Sequence, residues 1–236
     1  MMESQIKISN RFCGPIDSAN GGYTCGILSN AIEGAAEVTL RHPPSINKVM
    51  EIKQTEENNF VLYDQDRVIA EAKPAEFELV PPRAPNMEVA ELSTIKEEDI
   101  EDHYFPDCFV CGPKRRPGDG LRIFPGPVKD KAYIAAAWIP DNSLSDEKGY
   151  IKNEFVWSAL DCPSGWAIIL EKMRFIILGR LAVQIYKRVK PNKKFIVMGW
   201  RLSEEGRKFY AGTALYSAEG QLYAKGKATW IEFKQG

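Results

Sequence analysis

Hydrophobic and polar positions follow the same succession of patterns twice along the chain. Each copy begins with an apolar stretch of helical length, at residues 23–33 and 155–170. Short runs with the alternation typical of strands follow each stretch. They cover residues 36–41, 46–54, 59–64 and 68–78 in the first copy, and residues 175–189, 194–202, 208–217 and 221–233 in the second. One helix followed by an antiparallel sheet, twice, predicts an α+β protein.

The last run shows the alternation most clearly. Leu222, Ala224, Gly226, Ala228 and Trp230 share one face of the predicted strand, and the intervening positions are mostly polar. The small residues on the apolar face would let a helix lie close against the sheet.

The region between the copies has a different composition. Residues 73–101 are rich in proline and acidic side chains and predict a linker with some extended structure, while residues 106–127 predict a second irregular region. We therefore predict two units, residues 1–95 and 96–236.

Charge and composition exclude several classes of protein. The 236 residues carry a formal net charge of −1, which speaks against nucleic acid as the main partner. Neither an apolar signal segment nor an apolar run of about 20 residues occurs, so we expect no membrane span and a cytoplasmic protein. Five scattered cysteines are then expected to be reduced thiols.

The predicted order of elements, in which a glycine pair opens a helix and a meander of long strands follows, resembles the hotdog fold. Two such copies in one chain resemble the double-hotdog acyl-CoA thioesterases and their thioesterase-like relatives. Three segments carry this resemblance: residues 20–26 (NGGYTCG), residues 155–167 (FVWSALDCPSGWA), and the run CFVCGP from Cys108 that leads into GDGLRI from Gly118. The resemblance implies a tandem hotdog, with a long central helix in each half wrapped by an antiparallel sheet.

The resemblance also implies where the site lies. In the family, a His-Gly-Gly or Asn-Gly-Gly turn opens one helix, and a carboxylate about two turns along the other helix completes the site across the interface. Here the turn is intact in the first half (Asn20, Gly21, Gly22), whose carboxylate position holds Ser29. The second half has the carboxylate, Asp161, but its turn positions hold Lys-Asn-Glu at 152–154. This predicts one competent and one degenerate site per chain.

These residue types suit thioester hydrolysis. Asp161 lies in an apolar stretch, where burial would raise its pKa and make it a better base or nucleophile. The Gly22 N–H at a helix N-terminus could stabilise developing negative charge, and Asn20 could orient the water or the thioester carbonyl. The structural alternatives are that Asp161 is the N-cap of a helix with Pro163 in its first turn, and that Asn20-Gly21-Gly22 is only a tight turn.

Further candidates lie nearby. We predict substrate contacts at Gly21, Trp157 and Ser164, although Trp157 would by default be a core aromatic. Arg115 and Arg116 could bind coenzyme A phosphates or belong to a solvated basic loop.

A zinc site at the Cys108-x-x-Cys111 pair, with His103 as a third ligand, lacks a second cysteine pair nearby. We therefore expect two buried thiols in a turn, no metal, and no cofactor beyond the coenzyme A moiety of the substrate.

The leading hypothesis is an acyl-CoA thioesterase. The alternatives are a non-catalytic acyl-CoA or fatty-acyl binding protein, a dehydratase or hydratase on the same fold, and a purely structural pseudo-dimer. The dehydratase ranks last because neither His42 nor His103 falls at the family's position. No serine-hydrolase elbow occurs. Related proteins commonly assemble further, so we expect homo-oligomers of the chain.

Overall fold

The computed structural model describes residues 3–55 and 59–233, and the strands within them form one antiparallel sheet. The strands are β1 Glu3–Lys7, β2 Ala36–Leu40, β3 Val49–Gln54, β4 Phe60–Asp64, β5 Arg67–Pro74, β6 Gly126–Pro127, β7 Ile134–Trp138, β8 Ile176–Ile185, β9 Phe195–Glu205, β10 Lys208–Ser217 and β11 Leu222–Glu232. The helices are α1 Gly21–Ser29, α2 Met87–Ser93 and α3 Asn153–Ile169.

The order of strands across the sheet is β1-β3-β4-β5-β2-β8-β11-β10-β9-β7-β6. Strands β2 and β8 pair in the middle, with Val38 opposite Leu181, and so join the strands that follow α1 to those that follow α3. Helix α1 packs on β2, β5 and β8, and α3 packs on β9, β10 and β11. The two helices also pack against each other.

Helix α1 begins at Gly21, two residues before the apolar stretch that predicted it. The Asn20 side chain accepts a hydrogen bond from the Tyr23 N–H (2.8 Å), which makes Asn20 the N-cap. The helix ends at Ser29, four residues earlier than the apolar pattern suggested. Most of its residues are buried, because it lies between the sheet and α3.

Helix α3 is continuous from Asn153 to Ile169, with Asp161 at its centre and Pro163 inside it. The alternative in which Asp161 caps a helix that starts there is therefore wrong. The proline stands where β9 passes very close to α3, since a Cβ built at Gly199 would lie 2.1 Å from the Pro163 carbonyl oxygen. The helical turn in which Pro163 cannot donate a backbone hydrogen bond is thus packed closely against β9.

The eight predicted strands are confirmed, with ends that shift by a few residues. The predicted alternation of β11 is also confirmed, since Ala224, Gly226, Ala228 and Trp230 are buried.

The sequence reading missed β1, β6, β7 and α2. Helix α2 lies inside the predicted linker, has seven residues and buries only Ala90, so it leaves no helical periodicity to detect. Strand β7 is rich in alanine, which strands disfavour.

Over the described ranges 3–55 and 59–233, none of the helices is both long enough and apolar enough to cross a membrane.

Candidate active site

Asp161 belongs to α3, and its carboxylate lies at the N-terminus of the neighbouring helix α1. Its Oδ2 accepts hydrogen bonds from the Gly22 N–H (2.9 Å) and from the Asn20 side-chain amide (3.0 Å). Asp161 is 2% exposed, and its Oδ1 has no hydrogen-bond partner among the described residues. The turn and the carboxylate that the sequence predicted therefore meet, and one buried carboxylate oxygen makes no hydrogen bond to the described residues.

Asn20 uses the two ends of its side-chain amide for two different hydrogen bonds. Its Oδ1 caps α1 by accepting from the Tyr23 N–H, while its Nδ2 donates to Asp161. Aspartate or serine could cap the helix equally well, but aspartate has no proton to offer a carboxylate. The tight-turn alternative for residues 20–22 does not account for this second bond.

Gly22 brings the two helices within reach of each other. A Cβ at this position would lie 2.4 Å from the Asp161 Cβ, far inside van der Waals contact. The sequence reading assigned the Gly22 N–H to a developing oxyanion. In the structure that N–H donates to Asp161, so its role is to position the carboxylate.

The environment of Asp161 changes the pKa of its carboxyl group. Burial raises the pKa of Asp161 from 3.8 to about 7, and the hydrogen bonds from Gly22 and Asn20 oppose part of that rise. A carboxyl group with this pKa can accept and release a proton near neutral pH.

Asp161 borders a cavity of about 530 Å³, a size typical of small-molecule sites. Asn20 and Gly21 line it beside Asp161, and Trp166, Leu178 and other apolar side chains cover most of its wall. Both histidines, His42 and His103, also line the cavity, but among the described residues the Asp161 carboxylate accepts hydrogen bonds from Gly22 and Asn20.

Apolar side chains also surround the opening of the cavity. Ile16 is 82% exposed, and Leu170, Met173 and Phe233 are each at least 40% exposed, although all four line the cavity. Exposed apolar side chains grouped in this way mark surfaces that receive an apolar ligand or partner.

The predicted substrate contacts divide into two groups. Gly21 lines the cavity, whereas Trp157 and Ser164 are absent from its described lining. Trp157 is a buried core residue beside α1, where it would meet a Cβ built at Gly26. Ser164 uses its hydroxyl inside the protein, because Oγ donates to the Asp161 carbonyl (2.6 Å) and accepts from the Trp230 indole N–H (2.8 Å).

The predicted phosphate-binding arginines lie away from the described cavity lining. Arg115 donates to the Asp107 carbonyl (2.8 Å), the Asp119 carboxylate (2.9 Å) and the Cys13 sulfur (3.1 Å). Its guanidinium group therefore holds the loop together. Arg116 is exposed on the same loop.

Ser164→Ala is expected to destabilise the fold without impairing the site. The substitution leaves the buried Trp230 N–H without an acceptor, which costs about 1–3 kcal/mol in the free energy of unfolding. Urea unfolding measures this cost. The control is Ser158→Ala on the same helix, because the Ser158 hydroxyl only donates to the Glu154 carbonyl (2.7 Å) and its loss leaves no buried donor. A Ser164→Ala protein with normal stability and a raised KM would instead support the predicted substrate contact.

Sequence reasoning missed one group of residues beside Asp161. The sulfur atoms of Cys108, Cys111 and Cys162 converge within 4.8 Å of one another, and all three residues line the cavity. The residue numbers alone could not reveal this, because Cys162 comes from α3 and the other two from a loop about 50 positions earlier.

No protein-family model matches the chain, and no curated protein sequence matches it. Solved structures do. A provisionally assigned thioesterase II from Thermobifida fusca matches with a TM-score of 0.64 at 14% identity, over 98% of this chain and 92% of that one. The tesB protein of Mycobacterium avium subspecies paratuberculosis matches with a TM-score of 0.62 at 12% identity, over 98% and 93%.

A third match is a protein of unknown function with a hotdog fold from Alicyclobacillus acidocaldarius. Its TM-score is 0.55 at 11% identity, over 99% of this chain and 93% of that one. At such identities the likeness concerns the fold, and it extends over nearly the whole of each chain. The chain therefore has a hotdog-type fold, as the sequence resemblance predicted.

Proposed function

We propose that the chain is a tandem hotdog thioesterase that hydrolyses an acyl-CoA-like thioester at one site between its two halves. The observation that carries the proposal is the Asp161 carboxylate, which the Gly22 N–H and the Asn20 amide hold by one oxygen at the edge of an apolar cavity. We take the halves as residues 1–95 and 96–236: α1 in the first and α3 in the second each pack on strands that follow them, while α2, at the end of the first range, packs on β7 and β9 of the second.

Asp161 acts on water through its unpartnered Oδ1. Oδ2 is held in place, so Oδ1 takes a proton from water while the water oxygen bonds to the thioester carbon. Direct attack by the same oxygen on the thioester is the other route open to this carboxylate. On the first route the C–S bond breaks, and the departing thiolate takes the proton that Asp161 removed from water. On the second route the C–S bond breaks to leave a thiolate and an anhydride between the acyl group and Asp161, and water then hydrolyses this anhydride, which restores the carboxylate and supplies the proton that the thiolate takes up.

The N-terminus of α1 stabilises the negative charge that develops on the carbonyl oxygen. Gly22 and Tyr23 donate their N–H groups to Asp161 and Asn20, whereas the Gly21 N–H has no hydrogen-bond partner in the described part of the chain. Gly21 also lines the cavity. We therefore assign the oxyanion to the Gly21 N–H, where the helix dipole adds to the hydrogen bond.

The apolar cavity and its apolar opening fit an acyl chain as the group that the site recognises. The reverse pairing of turn and carboxylate forms no equivalent centre among the described residues. Lys-Asn-Glu at 152–154 occupies the turn positions of the second half, and Ser29 stands at the carboxylate position of the first half, where its hydroxyl donates to the Gly26 carbonyl (2.8 Å) within α1.

Thiol release from a panel of short, medium, long and aromatic acyl-CoAs tests the function. We expect turnover that favours apolar acyl groups over acetyl-CoA, since apolar area buried in the cavity contributes binding free energy. Tight binding of acyl-CoA without thiol release from any of them would contradict the enzyme and support a non-catalytic acyl-CoA binding protein. Free coenzyme A is the control for binding that does not involve the acyl group.

A further inference from the structure

Three buried thiols from two separate elements meet at one point of the cavity wall. Cys108 and Cys111 belong to the loop before β6, Cys162 lies on α3, and their sulfur atoms are all within 4.8 Å of one another. The sequence argument against zinc was the missing second cysteine pair. The fold supplies a third thiol instead.

The spacing of the sulfur atoms fits a shared ion. The Cys108 and Cys162 sulfurs are 3.7 Å apart. Two sulfurs that each lie about 2.3 Å from one tetrahedral zinc ion are separated by about 3.8 Å, whereas a disulfide bond is about 2.05 Å long. The five cysteines of the chain are free.

The loop that carries the first two thiols is tightly folded. Gly112 follows Cys111 directly, and a Cβ there would lie 2.5 Å from the Cys108 carbonyl oxygen and 2.6 Å from the Pro106 carbonyl oxygen. Only glycine fits this turn. The turn brings the two sulfurs of the Cys-x-x-Cys pair to the same side, facing Cys162.

N–H donors surround the sulfur atoms. The backbone N–H of Phe105 donates to His103 Nδ1 (3.0 Å), so the proton of the neutral imidazole is on Nε2, 3.3 Å from the Cys111 sulfur. The Asn20 amide nitrogen lies 3.8 Å from the Cys108 sulfur and 4.0 Å from the Cys162 sulfur. Such donors stabilise the negative charge of metal-bound thiolates.

We propose that Cys108, Cys111 and Cys162 bind one thiophilic divalent cation, Zn²⁺, as three thiolates. His103 supports the Cys111 thiolate through its N–H and is not a ligand. Each thiol that binds releases its proton to solvent. Since all three cysteines line the cavity, a fourth, small ligand such as water reaches the ion from there.

The ion ties the loop of residues 105–113 to α3 at the residue next to Asp161. The Asn20 amide contacts both the sulfurs and the Asp161 carboxylate. This inference goes beyond the proposed function and does not depend on it, because metal binding is measured without a substrate.

Titration of the full-length, reduced, metal-free protein with Co²⁺ tests the proposal. We expect saturation at one equivalent, with the intense visible absorption of tetrahedral cobalt and a cobalt–thiolate charge-transfer band, and displacement of Co²⁺ by Zn²⁺. Cys162→Ser is expected to weaken Zn²⁺ binding more than His103→Ala, which removes an outer donor and should weaken it about 10- to 100-fold. Cys13→Ser is the control, since Cys13 lies outside the group of three and should leave binding unchanged.

The wild-type protein alone can overturn the proposal if the variants fail to fold. Its melting temperature should fall when a chelator removes the metal and recover when Zn²⁺ is added. The proposal would be overturned if the reduced protein showed no cobalt–thiolate band and its melting temperature changed with neither chelator nor Zn²⁺. Finding a Cys108–Cys162 disulfide in the purified protein, with no metal bound after reduction, would overturn it in favour of a redox pair.

Discussion

Asp161→Asn is expected to lower kcat for thioester hydrolysis by about 10²- to 10⁴-fold, the usual contribution of a positioned general base. Asparagine has nearly the shape of aspartate, and its Oδ1 can still accept from the Gly22 N–H and the Asn20 amide. The protein should therefore fold with the same site geometry and without the charge that activates water. Steady-state thiol release and thermal unfolding, measured on the same preparation, separate the two effects.

Glu154→Gln is the matched control for this experiment. It makes the same change from carboxylate to amide, on the same helix, about two turns before Asp161 and at a turn position of the predicted degenerate site. Because that site has Ser29 in place of a carboxylate, we expect normal activity. Equal losses in both variants would contradict the assignment of a single competent site. Normal activity in Asp161→Asn would keep the enzyme and exclude Asp161 as its base or nucleophile.

Gly22→Ala is expected to abolish most of the activity by displacing Asp161. The added Cβ would lie 2.4 Å from the Asp161 Cβ, so the two helices must separate or the carboxylate must turn away. Misplacing a catalytic group by about 1 Å can cost about a hundredfold in rate. Forcing an extra methyl group into a packed interface also costs about 1–3 kcal/mol in the free energy of unfolding. Denaturant unfolding and kcat/KM measure the two losses.

Gly26→Ala separates the catalytic loss from the packing loss. Gly26 lies one turn further along α1, and its added Cβ would also lie 2.4 Å from α3, but against the Glu154 Cα. The added methyl group therefore strains the same interface between α1 and α3 but does not touch Asp161. We expect Gly26→Ala to lower the free energy of unfolding about as much as Gly22→Ala does, and to keep a much higher activity per folded molecule. A Gly26→Ala protein as inactive as Gly22→Ala would show that helix spacing alone, and not the position of Asp161, limits the rate.

Most of the fold could be predicted from the pattern of residues. The buried strands and the helices α1 and α3 have long, regular apolar patterns, because each packs a whole face against the core. Helix α2 and strand β7 escaped prediction because they are short, and their place depends on contacts with each other and with β9. Their local sequences carry too little information to specify them.

The functional assignments divide along the same line. Asn20, Gly22 and Asp161 were predicted because residues 20–26 and 155–167 resemble the turn and carboxylate motifs of the double-hotdog thioesterases. Ser164 resembles a site residue by position, yet its hydroxyl is used up between the Asp161 carbonyl and the Trp230 indole. Which way a side chain points around a helix depends on the partner across the interface, and β11 is that partner here.

Local periodicity along the sequence determined the α+β class and the order of the main helices and strands. The residues of the carboxylate site were predicted from the motifs that resemble the double-hotdog thioesterases. The tertiary structure alone decided that the Gly22 N–H binds Asp161 and that Cys162 joins Cys108 and Cys111. Such contacts join atoms between about 50 and 140 positions apart, and their distances are set by how closely α1, α3 and the sheet pack.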